Sequence, residues 1–456
     1  MRDRTGEFLN KYDRRVPRYT SYPTAPHFGA EVDAAAYRRW LAALDEAAPL
    51  SLYVHVPFCD TLCWFCGCHT KIVRRHKPVE AYQALLQREI DLVAAALGTR
   101  RSVCHLHFGG GSPTILTPKE FGALFAQLRG HFDILPEADI AVEIDPRGLE
   151  PALVPALAAC GVNRASIGLQ DLDPKVQAAV NRVQSFEETA RVIEDLRANG
   201  IASINIDLMY GLPHQDVDGV RATIDAALRL APERVCLFGY AHVPWMKKHQ
   251  RLIEEAALPG PEARFAQYMA AGTRLSEAGY DWIGLDHFAR PEDALARAAR
   301  RGELRRNFQG YTTDDASARL GFGPSAIGAV PQGFVQNVTA MHDYREALDR
   351  EELPVARGRT LDDDDRLRGA IIERLMCGLE VDLGAQSRAF GRADMAFETE
   401  LAALEGMRRD GLVEIADSAS GPCVRVTPPG RPFMRAACAA FDAYLTPQET
   451  RHARAV

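Results

Sequence analysis

The 456-residue sequence predicts an α/β fold, a partial (β/α)6 TIM-like barrel flanked by an N-terminal arm and a C-terminal, mostly helical, winged-helix-like domain. Three observations carry this reading. From Ser51 onward, short β-branched runs alternate with longer helical patterns, and that alternation builds right-handed βαβ crossovers around a parallel sheet. Glycine-rich, acidic or polar loops follow nearly every strand, where parallel β/α arrays collect reactive groups. From Thr360 the composition changes, and the glycine loops give way to helical patterns and a hairpin.

Residues 1–50 are polar and weakly basic, with Arg14, Arg15 and Arg18 around the start of Pro17-Arg18-Tyr19-Thr20-Ser21-Tyr22-Pro23-Thr24. Prolines and exposed aromatics there predict an arm rather than a core element. Residues 51–359 form the barrel and its extension, with strands at 51–56, 103–108, 139–144, 163–169, 202–208 and 235–240. Helices are expected at 79–97, 118–130, 150–159, 186–199, 215–230 and 261–278. Six such units fit an open or partial barrel better than a closed eight-stranded one.

Beyond the sixth unit, Gly284-Leu285-Asp286-His287-Phe288-Ala289 ends another strand-like run, and an arginine-rich helical segment follows. Asn307-Phe308-Gln309-Gly310-Tyr311-Thr312-Thr313 and the turn from Leu320 to Ile327 then read as a site wall or as a plain connector. In residues 360–456, Thr360-Leu361-Asp362-Asp363 starts a helix with acids near its positive end. Helical patterns run to Asp410, strands at 412–415 and 423–427 pair as a hairpin, and a helix is expected at 431–444. Twelve arginines and no lysine stand against sixteen acids here, a balance of −4, which argues for a cover over the barrel rather than a DNA-binding module.

Hydrophobic residues make up 47% and charged residues 25%, as in an ordinary soluble globular protein. The net charge of −7 argues against a nucleic-acid binder. No leader-like apolar segment and no apolar run of about 18 residues is found, so a cytoplasmic protein without membrane insertion is expected. Cys104, Cys160, Cys236, Cys377, Cys423 and Cys438 are scattered singly, like buried thiols in a reducing compartment.

The other four cysteines are the strongest signal. Cys59, Cys63, Cys66 and Cys68 fall within ten consecutive residues directly after the first strand. Packing gives no reason to concentrate thiols in one loop, so the loop predicts a metal. Zinc sites usually join two Cys/His pairs separated by a dozen or more residues, and the second pair is missing. An iron–sulfur cluster offers separate iron corners to a continuous loop and suits this spacing better. Structural zinc and a disulfide pair remain the weaker readings.

Other strand ends carry Gly109-Gly110-Gly111-Ser112-Pro113-Thr114, Glu143-Ile144-Asp145-Pro146-Arg147, Gly168-Leu169-Gln170-Asp171, Asp207 and Tyr240-Ala241-His242. Glycines let a backbone approach a ligand closely, although they also make tight turns. Glu143, Gln170 and Asp207 read either as satisfied rim polars or as partners for ribose hydroxyls or a sulfonium. His55, His105 and His107 read as satisfied core histidines. Lys71, Arg74, Arg75 and Lys77 are a solvated loop or, with the arm around Arg14 to Arg18, contacts for an anionic substrate.

The spacing Cys-x3-Cys-x2-Cys on Cys59, Cys63 and Cys66 resembles the signature of the radical S-adenosylmethionine enzymes. Together with Gly67-Cys68, the Gly-Gly-Gly turn, the Asn307 to Thr313 segment and the Tyr19 to Thr24 arm, it makes nearly the whole chain similar to the oxygen-independent coproporphyrinogen III oxidases, or coproporphyrinogen dehydrogenases. The resemblance implies one [4Fe–4S] cluster on Cys59, Cys63 and Cys66, its fourth iron left to the amino and carboxylate groups of S-adenosylmethionine. It implies two S-adenosylmethionine molecules per monomer. Tyr53, Gly110, Glu143 and Ile327 would contact the first; Phe65, Gly111, Ser112, Gln170, Arg182, Asp207 and Ala241 would contact the second. Cys68 and Tyr53 would be catalytic. Ser112 departs from the family's usual threonine, with the hydroxyl kept.

The implied reaction is oxidative decarboxylation of two propionates of coproporphyrinogen III to vinyl groups. It yields protoporphyrinogen IX in haem biosynthesis, by hydrogen abstraction with a 5′-deoxyadenosyl radical. An unidentified electron donor would serve a monomer, with no nucleic-acid partner. Haem chaperones and a haem-opening methyltransferase of the same superfamily are the alternatives. They typically lack the Gly67-Cys68 extension, and the chaperones also lack the arm.

Overall fold

The computed structural model describes residues 4–445; the ends of the arm and of the C-terminal stretch, 1–3 and 446–456, lie outside the described residues. Helices α1 (Thr5–Tyr12) and α2 (Ala34–Ala42) precede the first strand. The six strand–helix units follow. They are β1 (Leu50–Val56) with α3 (Lys77–Leu97), β2 (Arg101–Gly110) with α4 (Pro118–His131), and β3 (Phe132–Ile144) with α5 (Leu153–Ala159). Then come β4 (Arg164–Gln170) with α6 (Pro174–Ala179) and α7 (Phe186–Ala198), β5 (Ser203–Tyr210) with α8 (Val217–Arg229), and β6 (Arg234–Gly239) with α9 (Pro261–Glu277).

The extension adds β7 (Asp281–Ile283), β8 (His287–Ala289), α10 (Ala294–Arg301), β9 (Ala318–Phe322), β10 (Ile327–Val330), β11 (Gly333–Asn337), α11 (Met341–Asp349) and β12 (Val355–Thr360). The C-terminal stretch holds α12 (Asp363–Gly378), β13 (Glu380–Asp382), α13 (Leu383–Ala389), α14 (Glu398–Arg409), β14 (Val413–Ser418), β15 (Gly421–Val426) and α15 (Met434–Cys438).

Local chemistry sets the boundaries of these elements. Thr117 and Glu120 form a reciprocal capping box at the start of α4, as Asp362 and Asp365 do at α12. Asp33, Ser185 and Asp216 cap α2, α7 and α8 through their side-chain oxygens. In β1, Leu52, Val54 and Val56 are buried, so the helices pack against an apolar face.

Strands β1 to β12 form one sheet in the order β12-β11-β10-β9-β1-β2-β3-β4-β5-β6-β8-β7. The seven strands from β9 through β6 run parallel, and the outer pairings on both sides are antiparallel. Parallel direction brings the loops after β1 to β6 to one end of the sheet, and this end carries the site. The sheet exceeds the six expected strands because the extension supplies six more, the strand-like run at Gly284–Ala289 forming part of the β7–β8 hairpin.

Two expectations about the ends of the chain are corrected. The aromatics of the arm are not exposed: Phe8, Tyr12, Tyr19 and Tyr22 are buried in a second apolar core with residues of α12, α14, β15 and α15. Tyr12 donates to Asp410 Oδ2 at 2.6 Å, Tyr19 donates to Asp442 Oδ2 at 3.0 Å, and Tyr22 Oη accepts from the Ala443 N–H at 3.0 Å. Burying each such side chain stabilises by about 1.5–3 kcal/mol, so the arm is part of a core. The helix expected at 431–444 is short, since Pro432 admits only a 3-10 turn over Pro428–Phe433 before α15. Among the described residues no helix is long and apolar enough to cross a membrane.

Candidate active site

Leaving β1, the chain forms a two-residue parallel pairing of Phe58–Cys59 with Lys71–Ile72, and the cysteine loop is the excursion between them. Segments from other strand ends hold that loop. Asn181 Nδ2 donates to Leu62 O at 2.8 Å, Gln250 Nε2 to Phe65 O at 3.0 Å, and Lys247 Nζ to Cys68 O at 3.0 Å. His249 Nε2 bonds Cys66 O at 2.8 Å.

Each of the three sulfurs expected to bind iron has a hydrogen-bonding neighbour. Thr70 Oγ1 lies 3.2 Å from Cys59 Sγ, and the Cys68 N–H donates to Cys66 Sγ at 3.4 Å. Cys63, the buried one, accepts from Arg147 Nη2 at 3.3 Å and Arg182 Nη1 at 3.4 Å. Asp145 positions both guanidiniums, accepting from Arg147 Nη2 at 2.6 Å and Arg182 Nη1 at 3.2 Å. Burial opposes ionisation of Asp145, but the two arginines hold it below the usual carboxylate range. Burial pushes Cys59 up to about 12, whereas a hydrogen bond from the Cys68 thiol draws Cys66 down to about 6.

These surroundings fit a thiolate-bound iron–sulfur cluster. Hydrogen bonds to sulfur and nearby positive charge favour thiolates and tune such clusters. Cys68, exposed and turned to Cys66, stands apart from the other three. Sequence reasoning missed Thr70, Asp145 and Arg147 as supports of this loop. Asp145 and Arg147 stood in the Glu143-Ile144-Asp145-Pro146-Arg147 strand end, and that position was the available signal.

The glycine turn after β2 lies against the cysteine loop. Gly111 N–H donates to Val56 O and Ser112 N–H to Phe58 O, both at 2.8 Å. Gly110 has φ +121°, a backbone region that disfavours side chains. Its N–H donates to Glu143 Oε2 at 3.1 Å, while His107 Nε2 bonds Glu143 Oε1 at 3.0 Å. Tyr53 bonds His55 Nδ1 at 2.9 Å and stacks on His107, with ring centroids 5.8 Å apart. His55 is buried and satisfied, as expected, its Nε2 on His69 O at 2.9 Å. His105 and His107 depart from the expectation of core histidines. Both are half-buried and line a cavity, because alternate residues of β2 face inward.

That cavity, about 620 Å³, occupies the open end of the parallel strands. It brings together Phe65, Cys66, Cys68, Glu143, Gln170, Asp207 and Ala241. Asp207 accepts from Ser166 Oγ at 3.0 Å and Asn205 Nδ2 at 2.8 Å, and burial raises its pKa. Tyr53, Gly110, Gly111 and Ile327 are not on this wall. Ser112 lines a smaller pocket with Cys59, Asp145 and Arg147. Arg182 bonds the Cys63 sulfur and the Gly168 carbonyl, and a Cβ on Gly168 would lie 3.0 Å from Arg182 Nη2 and 3.2 Å from Gln170 Nε2.

Asn307, Gln309, Tyr311 and Thr312 line the cavity, so the polar-aromatic segment forms a wall, not a connector. Lys71, Arg74, Arg75 and Lys77 are exposed and line neither this cavity nor its neighbour. The arginines on the cavity wall, among the described residues, are Arg18, Arg164, Arg234 and Arg319. Arg164 pairs with Asp139, and Arg234 Nε with Asp293 Oδ1 at 2.8 Å.

Residues 53–227 match the family model of the Radical SAM superfamily. An oxygen-independent coproporphyrinogen III oxidase of Bradyrhizobium diazoefficiens is 51% identical over 444 residues, 97% of this chain and 98% of its own. The protein of the same name from Paracoccus denitrificans is 43% identical over 440 residues, covering 96% of each. Among solved structures, coproporphyrinogen III oxidase of Escherichia coli, described as a Radical SAM enzyme, superposes with a TM-score of 0.88 at 36% identity. The alignment covers 95% of this chain and 100% of that one.

Proposed function

The chain belongs to the oxygen-independent coproporphyrinogen III oxidase family of the Radical SAM superfamily, and from that membership we propose that it oxidatively decarboxylates coproporphyrinogen III to protoporphyrinogen IX. The observation that carries this reading is the cysteine loop itself, hydrogen-bonded at Cys59, Cys63 and Cys66 and opening at Cys66 onto a cavity of about 620 Å³. When bound, a [4Fe–4S] cluster with S-adenosylmethionine supplies one-electron chemistry and hydrogen abstraction, which no protein acid or base here provides.

The chain's own groups then bind, orient and shield. Cys59, Cys63 and Cys66 would hold the irons, with Arg147 and Arg182 donating to the buried Cys63 sulfur. Tyr53, Gly110, Glu143 and Ile327 are assigned to one S-adenosylmethionine. Phe65, Gly111, Ser112, Gln170, Arg182, Asp207 and Ala241 are assigned to a second. Glu143 and Asp207 support this division, each a carboxylate aimed into the cavity from a different strand end. Cys68 and Tyr53 are assigned to catalysis.

Each propionate loses a hydrogen from the carbon attached to the pyrrole and its carboxylate as carbon dioxide. That hydrogen leaves as an atom, so only one further electron departs with the carbon dioxide, and a vinyl group remains. The apolar core shared by the arm and α12 to α15 supports a cover that excludes water from this chemistry, over domains bounded at 1–50, 51–359 and 360–456. A cytoplasmic, monomeric enzyme served by a separate electron donor completes the reading.

The test is anaerobic turnover by the reconstituted enzyme of coproporphyrinogen III deuterated at the ring-adjacent carbon. Label should appear in 5′-deoxyadenosine, with one carbon dioxide for each vinyl formed. Vinyl formation with unlabelled 5′-deoxyadenosine refutes the mechanism. Haem capture without decarboxylation assigns the protein to the chaperones.

A further inference from the structure

Beside the large cavity lies a second chamber of about 230 Å³. Its walls come from the arm, the segment after β6, α9, Arg306 and Arg435. Phe238 to Ala241, Val243 and Arg18 line both spaces, so the two adjoin. Among the described residues, five arginines face the chamber, Arg15, Arg18, Arg264, Arg306 and Arg435, against one carboxylate, Asp286. Asp286 is engaged by His287 Nδ1 at 2.8 Å.

Among the described residues, Arg18, Arg264 and Arg306 form no ion pair with a carboxylate. Arg18 Nη2 donates to the Gly239 carbonyl at 3.3 Å. Arg264 lies with its guanidinium 5.5 Å from the centre of the Tyr210 ring, close against Gly211 and Gly239. The guanidinium occupies the space a Cβ on Gly211 would fill, and Gly211 has φ +81°, a backbone region that favours glycine. Arg306 sits 4.4 Å from the Tyr311 ring centre and donates through Nη2 to Arg18 O at 3.3 Å. Its Nε and Nη1 are buried and have no hydrogen-bond partner. Arg435 is 6% exposed, and burial, with Arg18 nearby, pushes its guanidinium down to about 10.

Converging guanidiniums with orphaned N–H donors are costly unless an anion answers them. Guanidinium forks match carboxylates in bidentate geometry, whereas an ammonium binds as a point charge. The chamber is smaller than the roughly 300–1,000 Å³ typical of drug-sized ligands, which suits an arm of a molecule rather than its ring. We propose that this chamber binds a carboxylate side chain of the substrate, with Arg18, Arg264 and Arg306 as its ligands, while the macrocycle occupies the adjoining cavity. This rests on the porphyrinogen reading for the identity of the carboxylate. It makes the chamber a determinant of specificity, anchoring a propionate that is not reacting.

The probe is coproporphyrin III, the oxidised and fluorescent ring with the same four carboxylates, compared with its tetramethyl ester. Both are titrated into the reconstituted enzyme and into Arg264→Gln and Arg306→Gln. Each substitution should weaken binding of the acid about ten-fold and leave binding of the ester unchanged. Arg306→Lys should recover only part of the loss, since it restores charge without the fork. Unchanged acid binding in both folded Gln variants, or equal weakening of acid and ester, overturns the proposal. Because Arg306 is partly buried, Arg264→Gln decides the matter if Arg306→Gln does not fold. Protoporphyrinogen formation by the unsubstituted enzyme is scored separately: its absence rejects the oxidase reading, whereas the acid–ester contrast alone decides the chamber.

Discussion

Replacing Gly111 by alanine tests whether the glycine turn positions the cysteine loop. A Cβ at 111 would lie 2.5 Å from the Phe58 carbonyl oxygen and 2.5 Å from Thr70 Oγ1. Non-bonded contacts of a Cβ essentially never fall below 3.0 Å, so the atoms must separate by at least about 0.5 Å. Neither neighbour yields easily. Phe58 O accepts the Ser112 N–H at 2.8 Å, and Thr70 Oγ1 bonds the Cys59 sulfur at 3.2 Å. Overpacking of this kind costs about 1–3 kcal/mol, a fall in Tm of about 1–3 °C for a protein of this size. The displacement falls on residues that hold Cys59, so iron retained after anaerobic reconstitution should drop to well under half of the unsubstituted level. Gly122→Ala is the control. Nothing lies within 4 Å of a Cβ there, inside α4, so it should stabilise by about 0.5–1 kcal/mol and leave iron content unchanged. Equal iron content and equal Tm in the two variants would refute this account of the turn.

Three further outcomes are expected. Cys68→Ala should keep its iron yet lose turnover, because Cys68 is exposed and turned to Cys66; iron loss as complete as in Cys59→Ala would make it a ligand. On the proposal of two S-adenosylmethionine molecules per chain, Asp207→Ala should lower the number bound in equilibrium dialysis by one, and an unchanged number would reject its assignment. Glu89 is buried, accepting from Tyr344 Oη at 2.6 Å, Gly323 N–H at 2.7 Å and Asn337 Nδ2 at 2.5 Å, and burial raises it to about 7. Its folded pKa exceeds the ordinary value, so the stability it contributes is full below about pH 4.5 and is lost as pH rises to about 7, by roughly 3 kcal/mol. Glu89→Gln removes that titration, so Tm of the unsubstituted protein minus that of the variant should fall between pH 4.5 and 7; a constant difference would contradict it.

The order of the six strand–helix units was legible because each boundary is written locally. The alternation of short apolar runs with longer helical patterns needs no distant partner to be read, and the Thr360 to Asp363 start of α12 is written in the same local way, with Asp362 as its cap. The cysteine loop was legible for the same reason, its four thiols lying side by side. The direction of a side chain is a different kind of fact. Arg182 was grouped with Gln170 and Asp207 by the resemblance, and no local pattern shows that its guanidinium also reaches Asp145 and the Cys63 sulfur. His105 and His107 sit in a run that reads as core, and only the direction of β2 shows that they face a cavity.

The arm shows why the rest could not be read. Tyr12, Tyr19 and Tyr22 find their partners at Asp410, Asp442 and Ala443, some 400 residues away, and no local pattern encodes a contact at that separation. The same separation hides the arginine chamber, whose five cations stand at positions 15, 18, 264, 306 and 435. Arg18 joins the two features. Its side chain donates to Gly239 at the end of β6, its carbonyl accepts from Arg306, and the neighbouring Tyr19 is bonded to Asp442. The arm is thus held by the barrel on one side and by the C-terminal core on the other. Docking that brings Arg18 to the cavity also brings Arg435, buried against the Val16 carbonyl, to the same chamber. A cationic cluster of this kind is unfavourable in isolation, so the stability of the docked arm should rise when an anion occupies the chamber. On the proposed binding mode, substrate should raise the stability of the docked arm, because any ligand that binds only the assembled chamber stabilises it.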